Sequence, residues 1–382
     1  MDLRELFPRP RRGAGSRRHR RAQGSDRRFE ITLIAVITLF AAGWTWGIAV
    51  AAETGAGTDA AARLTGNPFD RGSAPEAAYL MDALVRRFAD VEELRGLSGD
   101  LRVVLTEPGD LLHLALPDSL PPDVVTELRP VRGGVVDRAA PGHPVDDLAR
   151  APTESGVWAL TLRSPTGVEE VPDVRVIVQV PSSRRVKGAI GAYQVGEWPF
   201  EHGRKPPRDI YATPRGLVEV TLENMAMPIS EHFLLGDFLT KGQADVWPKY
   251  VVMSPRLLDK LELTIQQLET DGHPVSHVGI ISGFRTPSYN SHGGNTEGRA
   301  SLSRHMYGDA MDFYIDNDRD KGMDDLNGDG RVDVKDARVL AAAADAVEKN
   351  HPTLVGGVGV YTPTGAHRGF VHVDTRGYRA RW

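Results

Sequence analysis

The sequence has 382 residues, enough for two or three domains, and its 41% hydrophobic and 25% charged residues are typical of a globular protein. It contains no cysteine, which excludes disulfide bonds, thiolate metal ligands and thiol catalysis. The net charge of -5 conceals an asymmetry, because residues 1–30 hold ten arginines and only four acidic residues. A basic tail alone would suggest binding to nucleic acid, but the segment that follows explains it differently.

Residues 31–52, ITLIAVITLFAAGWTWGIAVAA, form an uncharged run of 22 residues. At about 1.5 Å per residue, such a helix spans the ~30 Å hydrocarbon core of a bilayer. We therefore predict a single transmembrane helix in the inner membrane, with residues 1–30 as a cytoplasmic tail and the body of the protein in the periplasm. Residues 49–51 also resemble a signal-peptidase site, so a cleaved, secreted form is the alternative. Membrane topology accounts for the arginines, and no nucleic-acid partner is expected.

The middle of the chain predicts a tether and a β-rich domain. Residues 53–99 begin with a run rich in small residues, which is typical of a tether, and continue into a short helix. Residues 100–190 contain four predicted strands, which are short β-branched runs separated by Pro, Gly and Asp turns: LRVVLTE, LLHLALP, GVWALTLRS and VRVIVQVP. This spacing predicts a β-sandwich-like domain. This domain contains no recognisable group of catalytic or metal-binding residues, and we interpret it as a spacer or a wall-contacting module. Residues 191–226 are predicted to be a connection to the C-terminal domain.

Residues 227–382 are predicted to form an α+β domain with a small antiparallel sheet, because helices and strands do not alternate regularly. A helix at 254–271 is indicated by Ser254 as N-cap, Pro255 at the first helical position and an apolar stripe of leucine and isoleucine. A second helix is predicted at 336–350. The predicted strands are 277–283, 309–316, 356–361 and 369–374.

Three residues of this domain form a candidate zinc site. On the strand 309–316, Asp312 shares a face with two polar neighbours, while the alternate residues are apolar and face the core. His372 alternates in the same way with two valines. His305 comes from the turn before the first strand, which Gly308 allows to fold tightly. Two imidazoles and one carboxylate can bind zinc and leave a coordination position open, as catalytic sites require.

Three motifs carry a family resemblance: SGFRTPSYN at 282–290, SRHMYGDAMDF at 303–313 and GFVHVDTRGYRARW at 369–382. Together they resemble the superfamily of zinc D-Ala-D-Ala carboxypeptidases and murein endopeptidases, which includes the vancomycin-resistance carboxypeptidases. The resemblance covers roughly residues 227–382. It implies that His305, Asp312 and His372 bind zinc and that Arg285 contacts the substrate or the developing oxyanion, since a guanidinium can fork onto either. The alternative for Arg285 is a structural salt bridge.

The sequence departs from this family at the general base. Many members carry a Glu three residues before the last zinc histidine, and this position is Gly369 here. A zinc peptidase needs a group that accepts a proton from water. Asp374, on the same strand face as His372, is the nearest substitute, and His367 on the preceding loop is another. The chain resembles the members that end in F-V-H-V-D.

Residues 325–336, DLNGDGRVDVKD, resemble an EF-hand calcium loop. Polar residues occupy loop positions 1, 3, 5, 9 and 12, a backbone carbonyl would serve at position 7, and Gly330 stands at position 6, where a sharp turn is required. The alternative is an acidic turn without an ion, because Asp, Asn and Gly form turns anyway. The predicted structural calcium ligands are Asp325, Asn327, Asp329, Arg331, Asp333 and Asp336.

These features predict a membrane-anchored, extracytoplasmic zinc peptidase that hydrolyses peptidoglycan stem peptides, as a carboxypeptidase or an endopeptidase. Two alternatives remain open. The cleft of the C-terminal domain binds peptidoglycan without chemistry, with Gly369 as the sign of lost activity, or the β-rich region acts as a scaffold in the cell envelope.

Overall fold

The computed structural model describes residues 102–382 apart from 113–119, 121–122, 146–148, 166, 295, 298 and 364–368. The predicted tail 1–30, transmembrane helix 31–52 and tether 53–99 lie outside the described residues, as does His367. Within the described part of the chain, no helix has both the length and the apolar character needed to cross a membrane. The membrane anchor therefore stays a prediction. All described residues fall in one compact unit, Ala77–Trp382.

The described residues form sixteen strands and three α-helices. The helices are α1 Pro255–Thr270, α2 Pro287–His292 and α3 Val334–Asn350. The strands are β1 Arg102–Thr106, β2 Val125–Arg132, β3 Val135–Val136, β4 His143–Pro144, β5 Gly156–Ser164, β6 Gly167–Val178, β7 Val180–Pro181, β8 Ala189–Ile190, β9 Tyr193–Gln194, β10 Gly216–Val220, β11 Lys249–Val251, β12 Val278–Ser282, β13 Ala310–Ile315, β14 Gly357–Tyr361, β15 Phe370–Asp374 and β16 Ala380–Arg381.

Strands β1 to β6 of the β-rich region form one sheet, while β7 pairs with β10 and β8 with β9; this differs from the two packed sheets expected of a β-sandwich-like domain at 100–190. The strand order is β1-β6-β5-β2-β3, with β4 beside β2. Strand β1 runs parallel to β6, and the other pairs are antiparallel. Strand β2 has no counterpart among the predicted strands, because Glu127, Arg129 and Pro130 interrupt its apolar alternation. Glu127 is nevertheless buried, paired with Arg129 at 2.8 Å and with Arg163 at 2.6 Å.

Both faces of this sheet are covered, which explains the difference from a sandwich. On one face, Trp158 and Leu160 of β5 pack with Val145 and Ala149 from the segment between β4 and β5. The opposite face presents Val157, which belongs to the same buried cluster as the C-terminal helices and strands. The C-terminal core thus occupies the place that the second sheet of a sandwich would fill.

The C-terminal part is built on a five-stranded sheet of order β12-β13-β15-β14-β16. Strands β12 to β15 confirm the four predicted strands, and α1 and α3 confirm the two predicted helices within one or two residues at each end. The apolar stripe of α1 is buried, and this helix contacts α3, which in turn packs on β14 and β15. A three-stranded sheet, β11-β10-β7, joins the same core. Mixed sheets with few helices confirm the α+β class.

Candidate metal centre

The candidate metal centre consists of His305, Asp312 and His372. Asp312 lies in β13 and His372 in β15, and the two residues are direct partners in the antiparallel register. His305 lies in a 3₁₀ turn, Arg304–Tyr307, which ends at Gly308 with φ of +69°. A Cβ at position 308 would overlap the backbone carbonyl of Val252, so only glycine fits the tight approach that brings His305 to the strand.

The three predicted ligands meet at one point. His305 Nε2 lies 3.2 Å from Asp312 Oδ1 and 3.2 Å from His372 Nδ1. His372 Nδ1 lies 2.8 Å from Asp312 Oδ1. All three side chains are buried, with residue exposures of 2% for His305, 4% for Asp312 and 6% for His372. The structure therefore brings together side chains that are separated by up to 67 positions in the sequence.

The hydrogen bonds on the outer side of each imidazole test whether a metal fits. His305 Nδ1 lies 2.7 Å from the carbonyl oxygen of Gly283, which can only accept, so this nitrogen carries the proton. His372 Nε2 lies 3.0 Å from Asp374 Oδ2 and donates to it. The inner nitrogens are then lone-pair acceptors that face the Asp312 carboxylate. Three acceptors this close together require a metal ion or a proton between them, and two imidazoles with one carboxylate are a zinc-binding set.

Asp374 lies on the side of His372 that faces away from the metal centre. Besides His372, its oxygens accept hydrogen bonds from Arg376 Nε at 2.9 Å and from the backbone N–H of Gly357 at 2.8 Å. A further guanidinium nitrogen of Arg376 forms an ion pair with it. Asp374 is fully buried, at 0% exposure. Its carboxylate thus contacts an imidazole, a guanidinium and a backbone N–H, and the proton transfer predicted for it stays a prediction.

Burial opposes the charged form of the two histidines and the two aspartates at the metal centre. Hydrogen bonds and neighbouring charges decide whether each pKa is nevertheless shifted toward the charged form. Burial raises the pKa of Asp312, but the imidazoles of His305 and His372 outweigh it and hold this pKa well below its usual range. Burial similarly opposes the charge of Asp374, while His372 and Arg376 lower its pKa. Burial lowers the pKa of His305. For His372, the two carboxylates outweigh burial and raise the pKa, so a proton takes the place of a cation in the metal-free protein.

Arg285 reaches the metal centre from the segment between β12 and α2. Its Nη2 donates to Asp312 Oδ2 at 2.7 Å, and its Nε donates to the Ser282 hydroxyl at 2.8 Å. Its backbone N–H donates to the carbonyl of His305 at 3.1 Å. The side chain is 17% exposed, which leaves part of the guanidinium accessible beside the ligands. The structure therefore places Arg285 beside the candidate ligands, paired with the second oxygen of the Asp312 carboxylate; its contact with a substrate or oxyanion stays a prediction.

The predicted calcium loop 325–336 is a compact turn that is closed by its own hydrogen bonds. Asp325 accepts from two backbone N–H groups at 3.2 and 2.7 Å, and Asp336 accepts from two at 3.1 and 2.7 Å. Asp333 is the N-cap of α3 and accepts from the N–H of Lys335 at 2.7 Å. Among the described residues, the groups of His, Asp and Glu with converging ligand atoms do not include this loop. Calcium binding stays a prediction.

Two other groups of described residues bring three His, Asp or Glu atoms within 4.8 Å of one another. In the first group, a histidine ring nitrogen lies 2.7 Å from a buried glutamate, and this pair connects the segment between β10 and β11 to α1. The second is a turn directly after β13, whose members accept backbone N–H groups. The groups are Glu231, His232 and Glu262, and Asp316, Asp318 and Asp324.

Reasoning from the sequence missed two contributors to this region, Arg376 and Trp382. Arg376 lies two positions after Asp374 and pairs with its carboxylate. The spacing of Asp and Arg in D-T-R could have indicated this pair. The indole of Trp382 lies beside His372, with ring centroids 5.1 Å apart. Its position depends on the register of β14 and β16 and has no local signal in the sequence.

Comparison with protein families gives one match, at residues 247–327, to the family model described as peptidoglycan L,D-endopeptidase MepK (Peptidase_M15_2). The matched segment contains Arg285, His305 and Asp312, and His372 lies beyond it. No curated protein and no solved structure matched this chain. The family match confirms the resemblance predicted for the C-terminal part: residues 247–327 match a family of peptidoglycan endopeptidases within the M15 superfamily of zinc murein peptidases.

Proposed function

We propose that this protein is a zinc-dependent peptidase that hydrolyses peptide bonds in peptidoglycan stem peptides. The observation that carries the proposal is the convergence of His305 Nε2, His372 Nδ1 and Asp312 Oδ1, with the other nitrogen of each imidazole held by an acceptor. The family match at 247–327 supports a peptidase of peptidoglycan. An L,D-endopeptidase is the specific activity that we propose, because the matched family carries that description.

The side chains around the metal centre have two proposed roles, metal binding and binding of the substrate. His305, Asp312 and His372 would hold zinc, which supplies a Lewis acid for hydrolysis of an amide bond. Arg285 offers a partly exposed guanidinium beside the ligands, where it binds a carboxylate or the oxyanion that develops on the scissile carbonyl. Burial of the ligands excludes bulk water and strengthens these electrostatic interactions.

We assign Asp374 a positioning role. It accepts from His372 Nε2 and thereby fixes the tautomer and ring orientation that aim Nδ1 at the metal. Since Arg376 and Gly357 occupy the remaining acceptor positions, Asp374 has little capacity to accept a proton from water. A proton acceptor for catalysis is thus not assigned to a described residue, and His367 remains the other candidate that the sequence offers.

A non-catalytic peptidoglycan-binding module is the second candidate, and Gly369 is the observation that favours it. The family resemblance places a catalytic Glu at this position, and glycine supplies no carboxylate. An enzyme with another base and a binding protein without one make opposite predictions for turnover with zinc bound. The scaffold interpretation, based on the β-rich region, predicts instead that partner binding does not depend on the metal centre.

Metal content tests the zinc site. We expect the full-length protein to bind one zinc ion, and His305→Ala and Asp312→Asn to lower zinc affinity by orders of magnitude. His202→Ala is the matched control, because the side chain of His202 is 77% exposed and lies on a different segment. Equal zinc affinity in the wild type and in both ligand variants would remove the basis of the proposal.

Turnover of defined muropeptides tests the reaction. The protein loaded with zinc is incubated with L,D-cross-linked dimers, D,D-cross-linked dimers and pentapeptide monomers, and the products are separated by chromatography. We expect cleavage of the L,D-cross-linked dimer, abolished by a chelator and restored by zinc. Release of D-alanine from the monomer would instead identify a carboxypeptidase. No turnover on any of the three substrates, with zinc bound, would favour the binding module.

We also propose that residues 31–52 anchor the protein in the inner membrane, with residues 1–30 in the cytoplasm and the peptidase in the periplasm. The uncharged run and the arginine-rich flank support this topology. Fractionation of cells that express the full chain should place it in the membrane, and deletion of residues 1–52 should release it. Recovery of a shortened chain that begins near residue 52 in the soluble periplasm would support the cleaved, secreted alternative.

A further inference from the structure

The metal centre lies in a row of residues that crosses four strands. Asp312 of β13 pairs in register with His372 of β15 on one side and with Ser282 of β12 on the other. His372 pairs in turn with Gly359 of β14. Paired residues in neighbouring strands point to the same face of a sheet, so this row lies on the face of the metal centre. Its two ends differ, because Arg285 covers the β12 end and a glycine stands at the β14 end.

The indole of Trp382 fills the space that Gly359 leaves. A Cβ at position 359 would overlap the indole ring, so the ring lies directly on the glycine backbone. The carbonyl of Trp382 accepts from the N–H of Val360 at 2.9 Å, which extends the pairing of β14. Trp382 Nε1 donates to the hydroxyl of Tyr361 at 2.8 Å, and the guanidinium of Arg376 lies 5.4 Å from the ring centroid. The indole is thus held from several sides.

Despite these contacts, Trp382 is 49% exposed. A tryptophan that only fills a gap in the core would be buried, as Trp158 and Trp198 are at 7% and 2%. Trp382 instead presents a fixed aromatic face to solvent, next to a metal-ligating histidine. The adjacent ring of Tyr361 stacks on Phe370 with centroids 4.4 Å apart, which continues the aromatic surface. An ordered, exposed aromatic ring contributes apolar contact area at low cost in conformational entropy.

We propose that Trp382 is a specificity-determining residue that contacts the aliphatic side chain of the substrate residue on the side of the scissile bond away from Arg285. This inference rests on the proposed peptidase function. A substrate across the metal centre would place a carboxylate at the guanidinium of Arg285 and an apolar group on the indole. In a peptidoglycan stem peptide, the methylene chain of the diamino acid fits this second position.

The kinetics of Trp382 variants test the proposal. The substrates are two cross-linked muropeptides that differ only in the side chain at this position, one with the full diamino acid chain and one with alanine. When two substrates differ by one or two methylene groups that contact a pocket, their kcat/KM values differ by roughly tenfold or more. We expect Trp382→Ala to raise KM for the long side chain at least about tenfold, with a smaller change in kcat, and to lose the preference for it. Trp382→Phe should retain most of the preference.

Controls separate contact with substrate from support of the fold. Leu222→Ala, at another exposed apolar side chain (66% exposed), should change neither KM nor kcat. Zinc content and thermal unfolding are measured for each variant. If Trp382→Ala does not fold, Trp382→Leu still covers Gly359 but lacks the flat ring, and it should show the same loss of preference.

The results also distinguish this proposal from the proposed function. An unchanged KM and an unchanged preference in Trp382→Ala, or in Trp382→Leu where the alanine variant does not fold, would overturn the role of Trp382. If the zinc-loaded wild type cleaves neither muropeptide, the peptidase proposal fails, and binding of the same two muropeptides is measured by calorimetry. Weaker binding of the long side chain to the Trp382 variant would then support the contact, and equal binding would overturn it.

Discussion

Replacing Asp374 by Asn separates two roles for this residue, positioning of His372 and transfer of a proton. The substitution preserves the shape of the side chain and one acceptor oxygen. It removes the negative charge and turns one oxygen into an NH₂ donor. That donor must then face either His372 Nε2–H or the guanidinium of Arg376, both of which are donors themselves. With the NH₂ group toward Nε2, the imidazole loses the acceptor that fixes its tautomer, and in either orientation it loses the negative charge that its Nε2–H faces.

The expected magnitude follows from these contacts. Loss of the group that orients a metal-ligating histidine typically lowers metal affinity by about 10- to 100-fold, which corresponds to about 1.4–2.7 kcal/mol. The free energy of unfolding should also fall, because Arg376 loses its charged partner. The side chain of Arg376 is only 17% exposed, so water does little to replace that partner. Removing one member of a largely buried ion pair costs about 3–5 kcal/mol.

Zinc titration and kinetics at saturating zinc read out the two roles. A positioning residue predicts weaker zinc binding and a kcat that excess zinc largely restores. A general base predicts the reverse, with normal zinc affinity and a kcat reduced by about 10²–10⁴. Asp345→Asn is the matched control, since Asp345 also pairs with arginines, at 41% exposure of its side chain and away from the metal ligands. Normal zinc affinity in Asp374→Asn together with a collapsed kcat would refute the positioning role.

Three further predictions concern the charges around the site. Arg285→Met should lower kcat/KM by about 10²–10³ while zinc remains bound, measured with the cleaved muropeptide; unchanged kcat/KM would contradict its role. Zinc affinity should increase as the pH rises toward the folded-state pKa of His372, which lies above the ordinary value of 6.5, and level off above it, because zinc must displace the proton that His372 holds in the metal-free protein. That proton stabilises the metal-free fold at low pH and its contribution is lost as the pH rises through the folded-state pKa; calorimetry in two buffers should detect proton release, and pH-independent binding would contradict it. Calcium should raise the melting temperature of the wild type but not of Asp325→Ala, and an equal melting temperature with and without calcium would count against a calcium site.

The three candidate metal ligands could be predicted because their signals are local. Alternation along β13 and β15 assigns Asp312 and His372 to one face, and Gly308 marks the turn that brings His305 to them. The helices α1 and α3 and the strands β12 to β15 follow from the same periodicity and from cap residues. The role of Asp374 could not be predicted in this way. Strand alternation places it on the face of His372, but the orientation of the imidazole decides that Asp374 contacts Nε2 and not the metal side.

Other features depend on contacts that are distant in sequence. Strand β2 contains Glu127 and Arg129, which belong on a surface by composition, and only the pairing with β5 brings Arg163 to satisfy them. The second sheet of the expected sandwich is replaced by the C-terminal core, which no pattern within 100–190 could indicate. In the same way, the indole of Trp382 packs in the space that Gly359 leaves without a side chain. Neither residue, read in the sequence, indicates this contact with the other.

The two metal predictions differ in strength for a physical reason. In the loop 325–336, Asp333 and Asp336 form a capping box at the start of α3, and Asp325 accepts backbone N–H groups of its own turn. Turn formation and helix capping therefore require the same residue types as calcium does, so the pattern is expected with or without the ion. No rule of secondary structure requires two inward-facing imidazole lone pairs beside a buried carboxylate. A metal ion, or a proton in its place, relieves that arrangement, and two imidazoles with one carboxylate are a zinc-binding set. This is why His305, Asp312 and His372 indicate a metal while the loop pattern alone does not.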